Sequence, residues 1–209
     1  MGFIYTRDKV VTTDYCDKVI QDFKKSDFDE YRSKVDRKHE SGETIKKSND
    51  ITIDLFLDTT IEENKKWWPI NNLRNALYNN IVSYVNRYHL GIDIDSVEAS
   101  RFCNYQHYKP NEGYLKYHCE NNGLPHNNRR VLAWMLYLNT IEYGGETEFL
   151  YQRHFEKAEA GKLVIWPADF THTHRGVVSH TSDKHIFTGW FEYKLPENPV
   201  KAVPPKKVS

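Results

Sequence analysis

Two short stretches of this sequence gather side chains that can hold a metal. The first is Tyr117-His118-Cys119-Glu120, and the second, more than fifty residues later, is His172-Thr173-His174-Arg175-Gly176. If residues 118–120 are extended, His118 and Glu120 share one face and can converge on a single ion while Cys119 points away. Two neighbouring ligands and one distant histidine make a set of two imidazoles and one carboxylate. That set holds non-haem Fe(II) and leaves three positions open for other ligands and O₂. His172 and His174 lie on one strand face, so either could complete it. His-x-Glu alone is a weak signal, and a solvated turn after a strand explains it better when nothing accompanies it. Its company is Lys184, ten residues beyond His174, at the head of Lys184-His185-Ile186-Phe187-Thr188-Gly189-Trp190-Phe191. Lys184 could be a strand-edge lysine, but the aromatics beside it put part of this strand in the interior. A buried lysine needs an anionic partner, which a ligand carboxylate can supply.

These residues need a scaffold, and the patterning supplies one. Thr12 or Thr13 can cap a first helix, whose Cys16, Val19, Ile20 and Phe23 make one apolar stripe. Lys24 to Asn49 is charged and mostly aperiodic and reads as a long exposed connection. Ile51 to Leu57 alternates at period two, as a strand does. A second helix is expected from Pro69 to Tyr88, with Leu73, Leu77, Ile81, Val85 and Tyr88 on its buried face and Gly91 closing it. Beyond Gly91 the pattern turns to short strands: Val97–Tyr108, Tyr114–Cys119, Val131–Asn139, Thr147–Tyr151, Leu163–Trp166, Arg175–Val178 and Lys184–Tyr193. Gly144-Gly145 suits a tight hairpin. The sum is an α+β domain whose strands form a barrel or sandwich covered by helices. The expected division is one domain over 1–194, with helical support in 1–92 and the β core in 93–194. A Pro/Lys-rich solvated tail follows over 195–209.

Composition removes several classes of function. Lys plus Arg (29) balances Asp plus Glu (29), so no global field draws the chain to nucleic acid or an anionic membrane. The longest apolar run, Val131 to Leu138, falls far short of the ~20 residues of a membrane helix. Aromatics at 14% of 209 residues provide for a sizeable core. Cys16, Cys103 and Cys119 are too scattered for a disulfide framework, and with no secretory pattern at the start they suggest reduced thiols in the cytoplasm. Met1-Gly2-x-x-x-Thr6 fits the loose myristoylation pattern, but an apolar first strand, Phe3-Ile4-Tyr5, explains it more simply.

Taken in order, Arg101-Phe102 to Tyr108, Gly113 to Glu120, Tyr137-Leu138-Asn139, Gly144-Gly145-Glu146-Thr147-Glu148-Phe149, Gly161 to Pro167 and His174 to Trp190 resemble the prolyl 4-hydroxylase-type Fe(II)/2-oxoglutarate dioxygenases. The resemblance spans 97–193. It implies a double-stranded β-helix (jelly-roll) core braced by the N-terminal helices, with iron at one mouth. It implies His118, Glu120 and His174 as iron ligands, with His174 preferred to His172 because the family sets its lysine ten positions after the distal histidine. Lys184 would pair with the distal carboxylate of 2-oxoglutarate. Tyr108 would donate to the same carboxylate, with Tyr105 competing for that role because Pro110-Asn111-Glu112 shifts the register. The reaction implied uses O₂ to hydroxylate an aliphatic C–H while 2-oxoglutarate becomes succinate and CO₂, with ascorbate as an auxiliary reductant. One departure is Glu120, where the family has Asp; the extra methylene must fold back or sit further out.

A peptide or protein substrate, prolyl or other, ranks first, a small molecule second, and nucleic acid a distant third. A non-catalytic metal-binding β-barrel is the competing class, and Lys184 is what it would not need. His172 reads as a structural histidine, and His126, His154, His180 and His185 read as surface or loop histidines with no partner at a telling spacing. Arg175 could reach a substrate or pair with a surface carboxylate. Tyr137 and Trp190 are either core aromatics or cavity wall. Oligomeric state is not encoded in these patterns.

Overall fold

A computed structural model of the chain describes residues 2–89, 91 and 93–195. In chain order its elements are β1 (Tyr5–Arg7), α1 (Thr13–Phe23), β2 (Arg32–Lys38), β3 (Thr44–Asp54), α2 (Pro69–Tyr88), β4 (Val97–Ala99), β5 (Phe102–Tyr108), β6 (Arg130–Tyr137), β7 (Thr147–Phe149), β8 (His154–Glu156), β9 (Leu163–Pro167), β10 (His174–Gly176) and β11 (Lys184–Tyr193). Short 3₁₀ turns link several of them. The expected tail over 195–209 lies, apart from Leu195, outside the described residues.

The strands form two antiparallel sheets. The larger has eight, in the order β1-β9-β6-β11-β5-β3-β2 with β4 also on β11, and the smaller is β10-β7-β8. Period two on β11 and β5 sorts the side chains. Lys184, Ile186, Thr188 and Trp190, with Gln106 and Tyr108, face the space between the sheets. Tyr105, Phe187 and Phe191 face the helices, where they join Val19 and Phe23 of α1 and Leu73, Leu77 and Tyr84 of α2 in the main core. A second cluster, with Tyr137, Phe149, Trp166 and Ile186, fills the space between the sheets. This is a jelly roll with its helices on one outer face. Burial of these aromatics is the dominant cohesive term, worth ~2–3 kcal/mol per large side chain.

Both helices start where the sequence indicates. Thr12 caps α1, its hydroxyl accepting from the Tyr15 amide at 3.2 Å. Pro69 opens α2, which runs to Tyr88 as expected, but the closing left-handed residue is His89 (φ 48°), two residues before Gly91.

Several expectations are corrected. Residues 24–49 are not an exposed connection: β2 and β3 pair from Arg32↔Ile51 to Lys38↔Thr44 and extend the larger sheet through β5. Residues 1–92 are therefore not purely helical support. Residues 114–119 form isolated bridges, Lys46↔Tyr114 and His118↔His174, in place of a strand. Residues 97–108 divide into β4 and β5, and β8 adds a strand where none was expected. Gly144 and Gly145 both take φ 77°, but they carry the chain from one sheet to the other. No hairpin forms there, because β6 pairs with β9 and β11 whereas β7 pairs with β8 and β10. Among the described residues no helix is long and apolar enough to cross a membrane.

Candidate metal centre

The backbone first fixes two histidines. His118 and His174 exchange main-chain hydrogen bonds, His118 N to His174 O at 3.0 Å and His174 N to His118 O at 2.9 Å. Each ring then meets a local carbonyl through Nδ1: His118 with Lys116 O at 2.9 Å, and His174 with His172 O at 2.9 Å. A carbonyl can only accept, so Nδ1 carries the proton in both rings and Nε2 keeps its lone pair. Tyr114 lies flat on the His118 ring, with centroids 3.6 Å apart and planes 10° apart, and restricts its rotation.

Glu120 lies between them. Its Oε1 is 3.5 Å from Nε2 of His118 and 3.5 Å from Nε2 of His174. The other oxygen, Oε2, accepts from the Trp190 indole at 2.8 Å and is 3.7 Å from the Arg130 guanidinium. Arg130 in turn stacks on the Trp190 ring, 3.4 Å from its centroid. Burial pushes the Glu120 carboxyl up, whereas an imidazole beside it that takes a second proton, at Nε2, pulls it well below the usual carboxylate range. Burial keeps His174 neutral against the pull of Glu120. One anionic oxygen and two imidazole lone pairs converging from three sides form a donor set for a divalent transition metal. His172 is not part of it: its Nε2 meets Gly2 O at 2.7 Å.

The three donors open on a cavity of about 410 Å³ between the sheets, also lined by Tyr108, Thr147, Ile186 and Lys184. Lys184 is 8% exposed, and among the described residues no carboxylate comes within ion-pair distance of it. Burial lowers its pKa from 10.5 to about 8, with Glu146 opposing weakly. A buried ammonium without a counter-ion, aimed into a cavity, fits a ligand that brings its own carboxylate. Tyr108 is on the same wall, its hydroxyl donating to Gln106 Oε1 at 2.6 Å. Tyr105 is not: it faces the helices and meets His185 Nδ1 at 2.8 Å.

Of the two roles open to Arg175, the structure shows the carboxylate pair, with Glu148 at 2.7 Å, and Cys119 is half-buried. His126 is an exposed loop residue, as expected, and borders the cavity. His185 is 3% exposed and so is neither a surface nor a loop histidine. Sequence reasoning passed over Lys46, Asp50, Gln106, Tyr114 and Arg130. On β3 the polar face Lys46-Ser48-Asp50 is buried against the cavity, where Asp50 takes hydrogen bonds from Lys46 (2.6 Å), Ser48 (2.7 Å) and Gln106 (3.3 Å). The alternation of Lys46, Ser48 and Asp50 with the run to Ile53 was the available signal for this strand.

Residues 103–192 match the 2OG-Fe(II) oxygenase superfamily. No curated protein sequence matches the chain. Among solved structures the fold is similar to a viral collagen prolyl hydroxylase from Paramecium Bursaria Chlorella virus-1, at 17% identity over 92% of this chain and 97% of that one, with a TM-score of 0.59. It is similar to a prolyl-4-hydroxylase from Pseudomonas putida, at 18% identity over 91% and 92% of the two chains, TM-score 0.63. It is also similar to a prolyl hydroxylase from Trichoplax adhaerens, solved with a hypoxia inducible factor oxygen degradation domain peptide, at 15% identity over 92% and 84%, TM-score 0.68. The chain therefore shares the double-stranded β-helix fold of these structures, and its residues 103–192 carry the match to the 2OG-Fe(II) oxygenase superfamily.

Proposed function

We propose that His118, Glu120 and His174 hold the Fe(II) of this enzyme, that Lys184 and Tyr108 hold the far carboxylate of 2-oxoglutarate, and that the substrate is a prolyl or other aliphatic residue in a peptide. The observation that carries this is the convergence of two proton-free Nε2 atoms and Oε1 of Glu120 on a cavity that also holds an unpaired, buried Lys184.

Bound iron would bring O₂ and 2-oxoglutarate together, so that one oxygen atom enters succinate, the other enters a substrate C–H bond, and CO₂ leaves. The chain's own residues do the positioning. The two backbone carbonyls keep the imidazole lone pairs directed at the ion. Trp190 and Arg130 take up Oε2 of Glu120, so the longer side chain presents a single oxygen. Lys184 supplies the charge that orients the cosubstrate, and its burial excludes water from that contact. The hairpin of β2 and β3, with Arg37 and Lys46, and the segment carrying Asn122, His126 and Asn127 border the cavity, and an extended chain would enter past them. The Trichoplax relative's bound peptide supports this substrate class. The working unit is residues 1–194 as one domain, in a reducing cytoplasmic compartment that suits three unpaired cysteines.

The test is an anaerobic titration of the apo-protein with Fe(II) and then 2-oxoglutarate, followed by the visible metal-to-ligand charge-transfer band. The band is expected to be absent in His174→Ala and to need far more 2-oxoglutarate in Lys184→Ala. Metal uptake indifferent to 2-oxoglutarate would leave a metal-binding barrel and overturn the assignment. A proline-rich peptide screen by mass spectrometry, with and without ascorbate, then addresses substrate and reductant.

A further inference from the structure

We propose that His107, Asp183 and His185 form a second metal site, suited to Zn²⁺ with one water, on the face of the larger sheet opposite the oxygenase cavity. His107 on β5 and His185 on β11 are direct cross-strand partners. Their neighbours Gln106, Tyr108, Lys184 and Ile186 line the cavity, so the two histidines project from the other side, the side of Tyr105 and Phe187. The site shares no residue with the first centre.

The donors already converge. The imidazoles lie nearly parallel, centroids 4.3 Å apart and planes at 17°. Both Nε2 atoms are turned to one carboxylate oxygen: Asp183 Oδ2 is 3.0 Å from His107 and 3.9 Å from His185. All three donors lie within 4.8 Å of one another. Because a metal sits in the plane of each imidazole it binds, His107, held among the described residues only by its contact with Asp183, turns out of the stack to bring both Nε2 atoms to the ~2.0–2.2 Å that zinc requires. Two imidazoles and one carboxylate on an open position favour zinc over the hard, oxygen-seeking cations.

The surroundings hold the site in shape. His185 Nδ1 is engaged by the Tyr105 hydroxyl at 2.8 Å, which leaves Nε2 directed outward, as an outer partner does for a metal-bound histidine. Asn139 grips the segment at both ends, donating to Asp183 O at 2.8 Å and accepting from His185 N at 2.8 Å. The His185 side chain is 3% exposed and that of Asp183 39%, so the rings form a floor and the carboxylate side admits water. The charged and titratable groups that face His185 are His107, Lys24 and Asp183. Lys24 is the charge that works against a cation here. A simple ion pair needs only His107 and Asp183; a second buried imidazole with its Nε2 turned to the same oxygen is the extra feature that a metal explains.

Calorimetric titration with Zn²⁺ tests this on the full-length chain in which His118→Ala and His174→Ala remove the first centre. One equivalent should remain and raise the melting temperature. That equivalent should be lost with added His107→Ala, weaken at least tenfold with Asp183→Asn, and weaken about tenfold with Tyr105→Phe. A double variant with the wild-type circular dichroism spectrum and no zinc uptake overturns the site, as does an equivalent indifferent to His107→Ala and Asp183→Asn. Should the double variant fail to fold, native mass spectrometry of the otherwise unaltered chain decides. Two zinc ions falling to one with Asp183→Asn support the site, and one in both proteins refutes it.

Discussion

The Trp190 indole donates to Oε2 of Glu120 at 2.8 Å across 70 residues of sequence, and this contact fixes one oxygen of a glutamate where the resemblance implies an aspartate. With Oε2 so engaged, the side chain has one free oxygen, Oε1, and that oxygen is 3.5 Å from both imidazoles. Trp190→Phe keeps the ring under Arg130 but removes the donor. Fe(II) affinity should fall about 10–100-fold with little change in melting temperature, as loss of an outer partner of a ligand does. A variant that binds Fe(II) as tightly as the wild type would separate Trp190 from the centre.

Glu120→Asp shortens the side chain by one methylene and should weaken the centre. The shorter side chain cannot reach the Trp190 indole and the gap between His118 and His174 together, so it either abandons the indole or retracts its free oxygen. A buried indole N–H left without a partner costs about 1–3 kcal/mol. The expected result is lower Fe(II) affinity together with lower stability in urea, and partial recovery of stability when Trp190→Phe is added. Additive losses in the double variant would show that the two residues are uncoupled.

The three residues that converge on the cavity were legible in the sequence as candidates, and their supports were not. His118 and Glu120 share a face by local period, Lys184 stood out as a lysine among aromatics, and the apolar stripes of α1 and α2 marked both helices. The strand β2, Arg32-Ser-Lys-Val-Asp-Arg-Lys, is an exposed edge without an apolar face, so no alternation announces it. In β3 the buried face at Lys46 and Asp50 is ionic, which resembles solvated charge until the strand is placed against a cavity. His107 and His185 meet only through strand register, and Glu120 meets Trp190 only where its loop packs on β11, and no local pattern encodes either.

Cosubstrate affinity should depend on pH through Lys184. Its pKa in the protein is about 8, lowered by burial from 10.5. Below 8 the ammonium is present to meet a carboxylate. As pH rises through 8 it is lost, and the 2-oxoglutarate requirement should rise by up to about tenfold per pH unit. Lys184→Arg stays charged and should flatten that limb. Stability moves the opposite way: between about 8 and 10.5 the unfolded chain holds a proton on Lys184 that the folded chain has released, so this group makes the protein without cosubstrate more stable as pH rises. Half-saturation for 2-oxoglutarate measured from pH 7 to 9.5 in both proteins decides it; identical limbs would assign the titration to another group.

The pair Lys46–Asp50 should matter more for the fold than any surface ion pair. The two are 2.6 Å apart, with side chains 5% and 13% exposed, and Asp50 also accepts from Ser48 and Gln106. Gln106 then accepts from Tyr108, so the network runs from the β2–β3 hairpin to the cavity wall. Asp50→Ala strands a buried ammonium, and stability in urea should drop by about 3–5 kcal/mol. Lys46→Met with Asp50→Leu removes both charges and should recover most of that loss. It also frees the Gln106 amide, so the Tyr108 hydroxyl loses a fixed acceptor and the 2-oxoglutarate requirement should rise severalfold even where stability is restored. If the double apolar variant were as unstable as Asp50→Ala, packing rather than the stranded charge would be the cause.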